Sequence, residues 1–374
     1  MTSRQRLLTT LAHQEPDRVP LDLGGHVTTI QRLAYEGLKD YLGINKATKT
    51  FIREHADLDN EVLEEFAIDT RYVRLKPPKS WKLKLEPDNS YLDEWGVRWK
   101  KMGLYHEPVA YPLAHAKTKD FERYNWPDPS DEGRVEGLRE QAKQLCEETD
   151  YAVIAQFPMA GGFELAWTCL RGPQFLEDLI LNRKFAETLL SKICDLEIEI
   201  LDRFLNAVGP YVQVVAVGDD VGQQRGPLIS PSLYRDVVKP FQKRLWGFIK
   251  QKSKAHLFVH SDGSVYQFIP DFIELGVSIL NPVQVRAKDM DTGRLKEEFG
   301  HRISFWGGID TQEVLPFGTP QEVEKEVRKR IRDLAPGGGY VLSPVHNIQA
   351  GVSAENIVKM YEGARKYGVY PIGD

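Results

Sequence analysis

Short apolar, β-branched runs alternate with longer stretches of helical periodicity along nearly the whole chain. Eight such runs stand out: Val19–Leu23, Arg71–Leu75, Ala152–Gln156, Val212–Val217, His256–His260, Val277–Leu280, Ile303–Trp306 and Tyr340–Leu342. Most are near-continuous rather than alternating, as expected of strands buried on both faces. The segments between them announce helix ends. Thr319-Pro320-Gln321-Glu322 predicts a capping box with proline at the first helical position, after which Val323, Val327 and Ile331 recur on one face. Pro336-Gly337-Gly338-Gly339 stops that helix before the next strand. Ser230-Pro231 opens another helix in the same way, and Ser353 with Asn356 opens the last. Eight strands with intervening helices predict an α/β fold, a (β/α)8 TIM barrel occupying residues 1–374 as one domain. A doubly wound open sheet is the alternative. It calls for a glycine-rich turn after its first strand, and Leu21-Asp22-Leu23-Gly24-Gly25-His26 lacks the G-x-G-x-x-G spacing.

One region breaks the repeat. Residues 77–115 are rich in Trp, Tyr, Pro and Lys, and SWKLKL and EWGVRWKKM alternate at period two. This predicts a β-hairpin inserted before the third strand and lying over one end of the barrel, either as a surface elaboration or as a lid.

Composition narrows the setting. A hydrophobic fraction of 41% supports a sizeable core, and a net charge of −5 argues against a nucleic-acid partner, which would need a basic face. No apolar run approaches the roughly 20 residues of a membrane span, and no secretory pattern opens the chain, so a soluble cytoplasmic protein is expected. Cys146, Cys169 and Cys194 lie far apart with no Cys-x-x-Cys. They fit a reduced compartment, offer no thiolate metal site and read as small core residues.

In such a barrel the chemistry sits at the C-terminal strand ends. Those ends supply Asp22, Gln156 with Glu164 beyond it, Asp219, Asp220 and Gln224, His260 and Asp262, Asn281 and Gln284, Asp310, and His346, Asn347 and Gln349. Asp262, Asp310 and Asn347 have a plain alternative as helix caps. His260 and His346 are candidate zinc ligands, because neutral imidazole binds zinc well and both follow strands. Asp262, Asp220 or Glu164 would complete a three-ligand site with an open position. A metal-free polar pocket, with the histidines as acid, base or anion donors, stays open beside it. Adjacent Asp219 and Asp220 should face opposite ways, with Asp220 directed into the mouth, where burial would raise its pKa and suit it to acid–base work. His346 and Glu164 share that candidate role. Asp22, Gln156, Gln224, Asn281, Gln284, Asp310 and Gln349 are the candidate substrate-binding residues.

Five segments together resemble the uroporphyrinogen decarboxylase superfamily, which includes methylcobamide:coenzyme M methyltransferases and related corrinoid-dependent methyltransferases. They are RQRLLTTLAHQEPDRVPLDL, GDDVGQQRGPLISPSLYRDVVKP, HLFVHSDGSVYQFIPDFIELGVSILNPVQ, ISFWGGIDTQEVLPFGTP and GGGYVLSPVHNIQAGVSAENI. The resemblance runs over nearly the whole chain and is specific for the superfamily more than for a reaction. True uroporphyrinogen decarboxylases carry an early RQAGRY-like segment that holds the substrate's carboxylates; here the stretch reads DLGGHVTTIQRLAYEGL, with one arginine. The coenzyme M methyltransferases bind zinc through His-x-Cys and a distant Cys. The resemblance places His260 at the histidine, Asp262 in place of the first cysteine, and a replacement for the second near His346. A His/carboxylate set leaves zinc more electrophilic than thiolates do, which suits pulling on the oxygen of a methyl ether.

The resemblance therefore implies an O-demethylase-type methyltransferase acting on a small methoxylated donor. The chain has no Asp-x-His-x-x-Gly cobalamin signature, so the corrinoid would arrive on a separate protein. Expected partners are the methyl donor and that corrinoid protein, with a homodimer left open, and neither nucleic acid nor membrane. Two other readings compete. One is a metal-independent decarboxylase of a smaller carboxylated substrate, and the other is a barrel that only binds a ligand.

Overall fold

The computed structural model describes residues 1–50 and 54–373, the side chains of 158–160 excepted. Seven parallel strands form one curled sheet: β1 (Thr70–Arg74), β2 (Ala152–Ala160), β3 (Val214–Gly218), β4 (His256–His260), β5 (Ile279–Asn281), β6 (Ser304–Ile309) and β7 (Tyr340–Pro344). Each pairs with its neighbours in sequence, and helices wrap the outside. The expected strand at Val19–Leu23 is a correction. It contributes a single parallel bridge, Leu21 with Leu342. Pro20 has no N–H to give a ladder, and the Leu21 N–H donates to the Asp69 carboxylate rather than to a strand. The segment still closes the barrel, since Leu342 N–H donates to the Pro20 carbonyl on one side and Asp69 N–H to the Leu21 carbonyl on the other.

Two apolar layers hold the fold. Inside the barrel, Ala152, Ile154, Val214, Ala216, Phe258, Ile279, Trp306 and Val341 interlock at every second strand position. Phe258 meets Trp306 edge-on at 5.4 Å. Helix α1 (Ser3–Leu11), started by a Thr2/Gln5 capping box, stops the N-terminal end with Leu7 and Leu11. Outside, the long helix α2 (Arg183–Val208) buries Leu189, Ile193, Leu196, Ile200 and Phe204 against the sheet. Burying each such side chain contributes about 1.5–3 kcal/mol. Helix α3 (Lys239–Lys252) packs beside it, and α4 (Pro320–Leu334) begins with the Thr319/Glu322 capping box that the sequence announces. Helix α5 (Ala354–Tyr367) starts at Ser353. Among the described residues no helix is long and apolar enough to cross a membrane.

The insertion between β1 and β2 also departs from expectation. It is a three-stranded antiparallel sheet, Ser90–Leu92, Arg98–Met102 and Tyr105–Ala110, rather than a two-stranded hairpin. SWKLKL takes no part: residues 82–89 are exposed, so no buried face fixes a register for them. Tyr91 and Trp99 anchor the sheet from its buried face. The Tyr105 hydroxyl bonds Gln349 after β7, which sets the insertion beside the barrel mouth.

Candidate active site at the barrel mouth

Alternation along the strands decides what faces the mouth. Phe258 points into the barrel core, so His260, two residues on, points the same way at the strand's C-terminal end. Ile279 does the same for Asn281, and the register pairs Asn281 directly with His260. His260 Nδ1 lies 2.6 Å from Asn281 Oδ1. The Asn281 amide nitrogen is committed to the Trp306 carbonyl at 3.0 Å, so its oxygen must accept, and His260 Nδ1 must carry the proton. In the neutral ring the lone pair is then on Nε2.

That lone pair faces a carboxylate. Asp262 Oδ2 is 3.6 Å from His260 Nε2 and 3.9 Å from His346 Nε2. Gly263 makes the turn: its φ of +85° suits glycine, and a Cβ there would come within 2.5 Å of the Gln223 amide nitrogen. The Gly263 N–H donates to Gln284 Oε1 and the Asp262 N–H to Asp220 Oδ1, both at 2.7 Å. One atom each from His260, Asp262 and His346 lies within 4.8 Å of the others. Asp262 Oδ1 is buried with no hydrogen-bond partner among the described residues. Two acceptors facing each other, with a third alongside, require a cation between them: a proton or a metal ion. Without a metal the proton takes that place. Burial alone would depress the His260 imidazole, but Asp262, Asp220 and the Asn281 bond outweigh it and raise its pKa to about 10. Burial would push Asp262 up, yet the two histidines hold it below the usual carboxylate range. Burial lowers His346, the Asp262 charge opposing and His260 reinforcing that shift.

Behind the cluster lies a row of acids. Asp219 turns to the helix layer, accepting from Gln242 Nε2 at 2.9 Å and from the Glu164 N–H at 2.7 Å. Gly161 allows this close approach, since a Cβ there would sit 2.5 Å from the Asp219 side chain. Asp220 turns to the mouth and Asp262. Burial, then the Asp262 charge, raises Asp220 to about 7, and burial raises Asp219 to about 6. Burial and the charges of Asp220 and Asp219 push Glu164 well above its ordinary range. Glu164 Oε2 accepts the Asp220 N–H at 3.3 Å.

Residues 101–367 match the family model for Uroporphyrinogen decarboxylase (URO-D). The chain belongs to the uroporphyrinogen decarboxylase family. Over 98% of its length and 99% of the other chain it shares the fold of a methyltransferase from Methanosarcina mazei, at 18% identity and a TM-score of 0.66. A GH113 beta-1,4-mannanase is similar at 11% identity and a TM-score of 0.41, over 92% and 99% of the two chains. No curated protein sequence matches the chain.

Within this family fold the remaining candidates divide into two sets. Gln284 joins the cluster's support, bonding Gly263 and, through Nε2, Gln224 Oε1 at 2.9 Å. Gln349 bonds Tyr105 and the Asn347 carbonyl. Gln156 is spent on the His26 N–H at 2.9 Å, and Asn347 holds the Thr29 N–H at 2.8 Å. Asp310 caps the turn that follows it through the N–H groups of Gln312 and Glu313. Asp22 lies fully buried, its oxygens taken by Thr28, Thr70, Tyr72 and Trp306. Three contributors went unmarked in the sequence: Gln242, Arg286 and Glu197. Only Glu197 carried a signal, an acid on the apolar stripe of α2 between Ile193 and Ile200.

Proposed function

We propose that the chain is a methyltransferase that moves a methyl group from a small methoxylated or otherwise methylated substrate to a corrinoid carried on a separate protein. The carrying observation is the convergence of His260 Nε2, Asp262 Oδ2 and His346 Nε2, with the other oxygen of Asp262 buried and without a partner among the described residues. This donor set fits zinc: two imidazoles and a carboxylate, with the other His260 nitrogen held by Asn281, as metal-bound histidines require. Zinc in a three-ligand site with an open position acts as a Lewis acid on an oxygen.

The chain's own groups do the rest. Asn281 fixes the His260 tautomer and ring plane, and Gln284 with Gly263 fixes the loop that presents Asp262. Asp220, poised near neutrality, is the acid–base residue we favour, with the protonated Glu164 behind it as its proton store. Gln224, Gln284 and Gln349 line the approach and orient the substrate, while Asp22, Gln156 and Asp310 act through the loops they hold. A reduced, cytoplasmic setting suits three cysteines without a disulfide.

The test is direct. Purified protein should carry about one zinc per chain, and mixing with a Co(I) corrinoid protein and a methoxylated donor should give methylcobalamin absorbance that chelation abolishes. The raised carboxyl groups favour one second reading, a metal-independent decarboxylase in which Asp220 or Glu164 protonates the product. Carbon dioxide release that survives exhaustive chelation would replace the first reading with this one.

A further inference from the structure

The loops after β3, β5 and β6 enclose an open cavity of about 390 Å³, lined by Gln224, Val285, Arg286, Gln312 and Glu313. That volume is the size of a small-ligand site. It adjoins the histidine cluster through one side chain. Gln284 takes the Gly263 N–H with its oxygen and gives its amide to Gln224, whose own nitrogen donates to the Arg286 carbonyl. A ligand here would reach Asp262 across a single glutamine.

Among the described residues Arg286 is the one basic side chain lining the cavity. Its guanidinium is half-exposed, with Nε 4.0 Å from Asp310 Oδ2 and Nη2 bonded to Glu313. These two acids differ. Asp310 is 3% exposed and already fixed by two backbone N–H groups, so it holds the guanidinium from behind. Glu313 is 58% exposed, and an ion pair that open to water is weak. Arg286 Nη1 makes no hydrogen bond among the described residues. A planar fork with one edge free and one exposed, displaceable partner is suited to a carboxylate.

We propose that this cavity receives a carboxylate of the substrate, with Arg286 as its receptor and Glu313 as the counter-ion it displaces. Position then sets the orientation. With the carboxylate on Arg286, Val285 flanks the carbon skeleton. The methyl-bearing end is left facing His260 and Asp262. The substrate class is a small methylated carboxylic acid. This assignment rests on the methyl-transfer reading for the methyl group, but the Arg286 site stands or falls separately.

The probes are 3-methoxybenzoate and methoxyacetate, each against its neutral amide, titrated calorimetrically into the zinc-loaded full chain. At least one acid should bind ~10-fold or more tighter than its amide, the worth of a charge-assisted pair. Arg286→Gln should erase that preference, and Arg286→Lys should keep part of it. Glu313→Gln should tighten acid binding about 3- to 10-fold by freeing the fork. Thermal unfolding of each variant checks that it is folded. Acid and amide binding alike, no acid binding at tens of millimolar, or Glu313→Gln weakening the acid as Arg286→Gln does would each overturn the assignment. Methylcobalamin formation is read separately. Acid binding at Arg286 without methyl transfer sinks the methyltransferase reading and leaves the carboxylate site, whereas methyl transfer from the amides as fast as from the acids sinks the site alone.

Discussion

The two ends of the barrel treat carboxylates in opposite ways. At the N-terminal end, Asp69 is fully buried and its oxygens take Arg6 Nη1 at 2.6 Å, Arg18 at 2.7 and 3.0 Å, and the Leu21 N–H at 2.8 Å. Asp17 beside it bonds Arg6 Nε and Nη2, which holds its carboxyl well below the usual range. Both of these acids have an arginine. At the C-terminal end, Glu164, Asp219, Asp220, Asp262 and, farther back, Glu197 have no arginine or lysine bonded to them among the described residues; Glu164, Asp220 and Glu197 meet one another's or a neighbouring acid's charge, and Asp262 meets His260 and His346. The base is satisfied within the protein, whereas the mouth keeps a buried oxygen of Asp262 with no partner among the described residues.

Substitutions can break or sharpen this contrast. The largest effect should come from His260→Ala, which is expected to take zinc content from about one per chain to none. Unfolding of the metal-free variant should shift by about 1–3 kcal/mol from metal-free parent, because the buried Asn281 oxygen loses its donor. Asp69→Ala should do the reverse. It strands two arginines and should cost about 3–5 kcal/mol in urea unfolding while zinc stoichiometry stays intact. A strongly destabilised His260→Ala, or an Asp69→Ala that lost zinc while folded, would undo the division between the ends.

Asn281→Ala comes next. Losing the partner that orients His260 should weaken zinc about 10–100-fold by competition with a chelator, without removing a ligand. The last effect is a slope. Glu197 is fully buried, and neither oxygen has a partner among the described residues. Burial first, then the charges of Asp219 and Glu164, raises its pKa far above that of an unfolded glutamate, so the folded state retains a proton that the unfolded state releases. Stability is therefore undiminished by this group below about pH 4 and falls as pH rises above it. Glu197→Gln keeps the shape and drops the titration. Its stability should match the parent near pH 4 and gain on it toward pH 8, by at most about 1.4 kcal/mol per pH unit. A constant difference across that range would show that Glu197 does not carry the slope.

Much of the fold was legible because strand burial on both faces leaves apolar runs that no polar segment imitates. Seven of the expected strands form the sheet. The eighth failed on local chemistry that a pattern of apolar residues cannot express: a proline without an N–H, and a backbone donor taken by the side chain of Asp69. Within the insertion EWGVRWKKM does supply a strand and only SWKLKL does not, since its alternation has no buried face to act on. In the site, the position of His260 follows from strand parity alone. The direction of Asp262 does not, because it depends on a positive φ at Gly263 and on an acceptor forty-two residues upstream, Asp220. Arg286 lay beyond reach for another reason: an exposed arginine in a loop looks like any other until Asp310 is found behind it.

Helix α1 gives the molecule a floor. Leu7 and Leu11 close the barrel from below the packed interior, so among the described residues the mouth is the end through which the site is reached. Small molecules and any protein that docks on the rim must use the same aperture, and a docked protein shuts it. On the methyl-transfer reading proposed above, traffic through one mouth would be sequential: the small donor would enter before the partner settles, and the product would leave only after the partner has gone. Excess partner should then slow turnover by trapping empty or product-filled barrels, a kinetic signature written by two leucines at the far end from the chemistry.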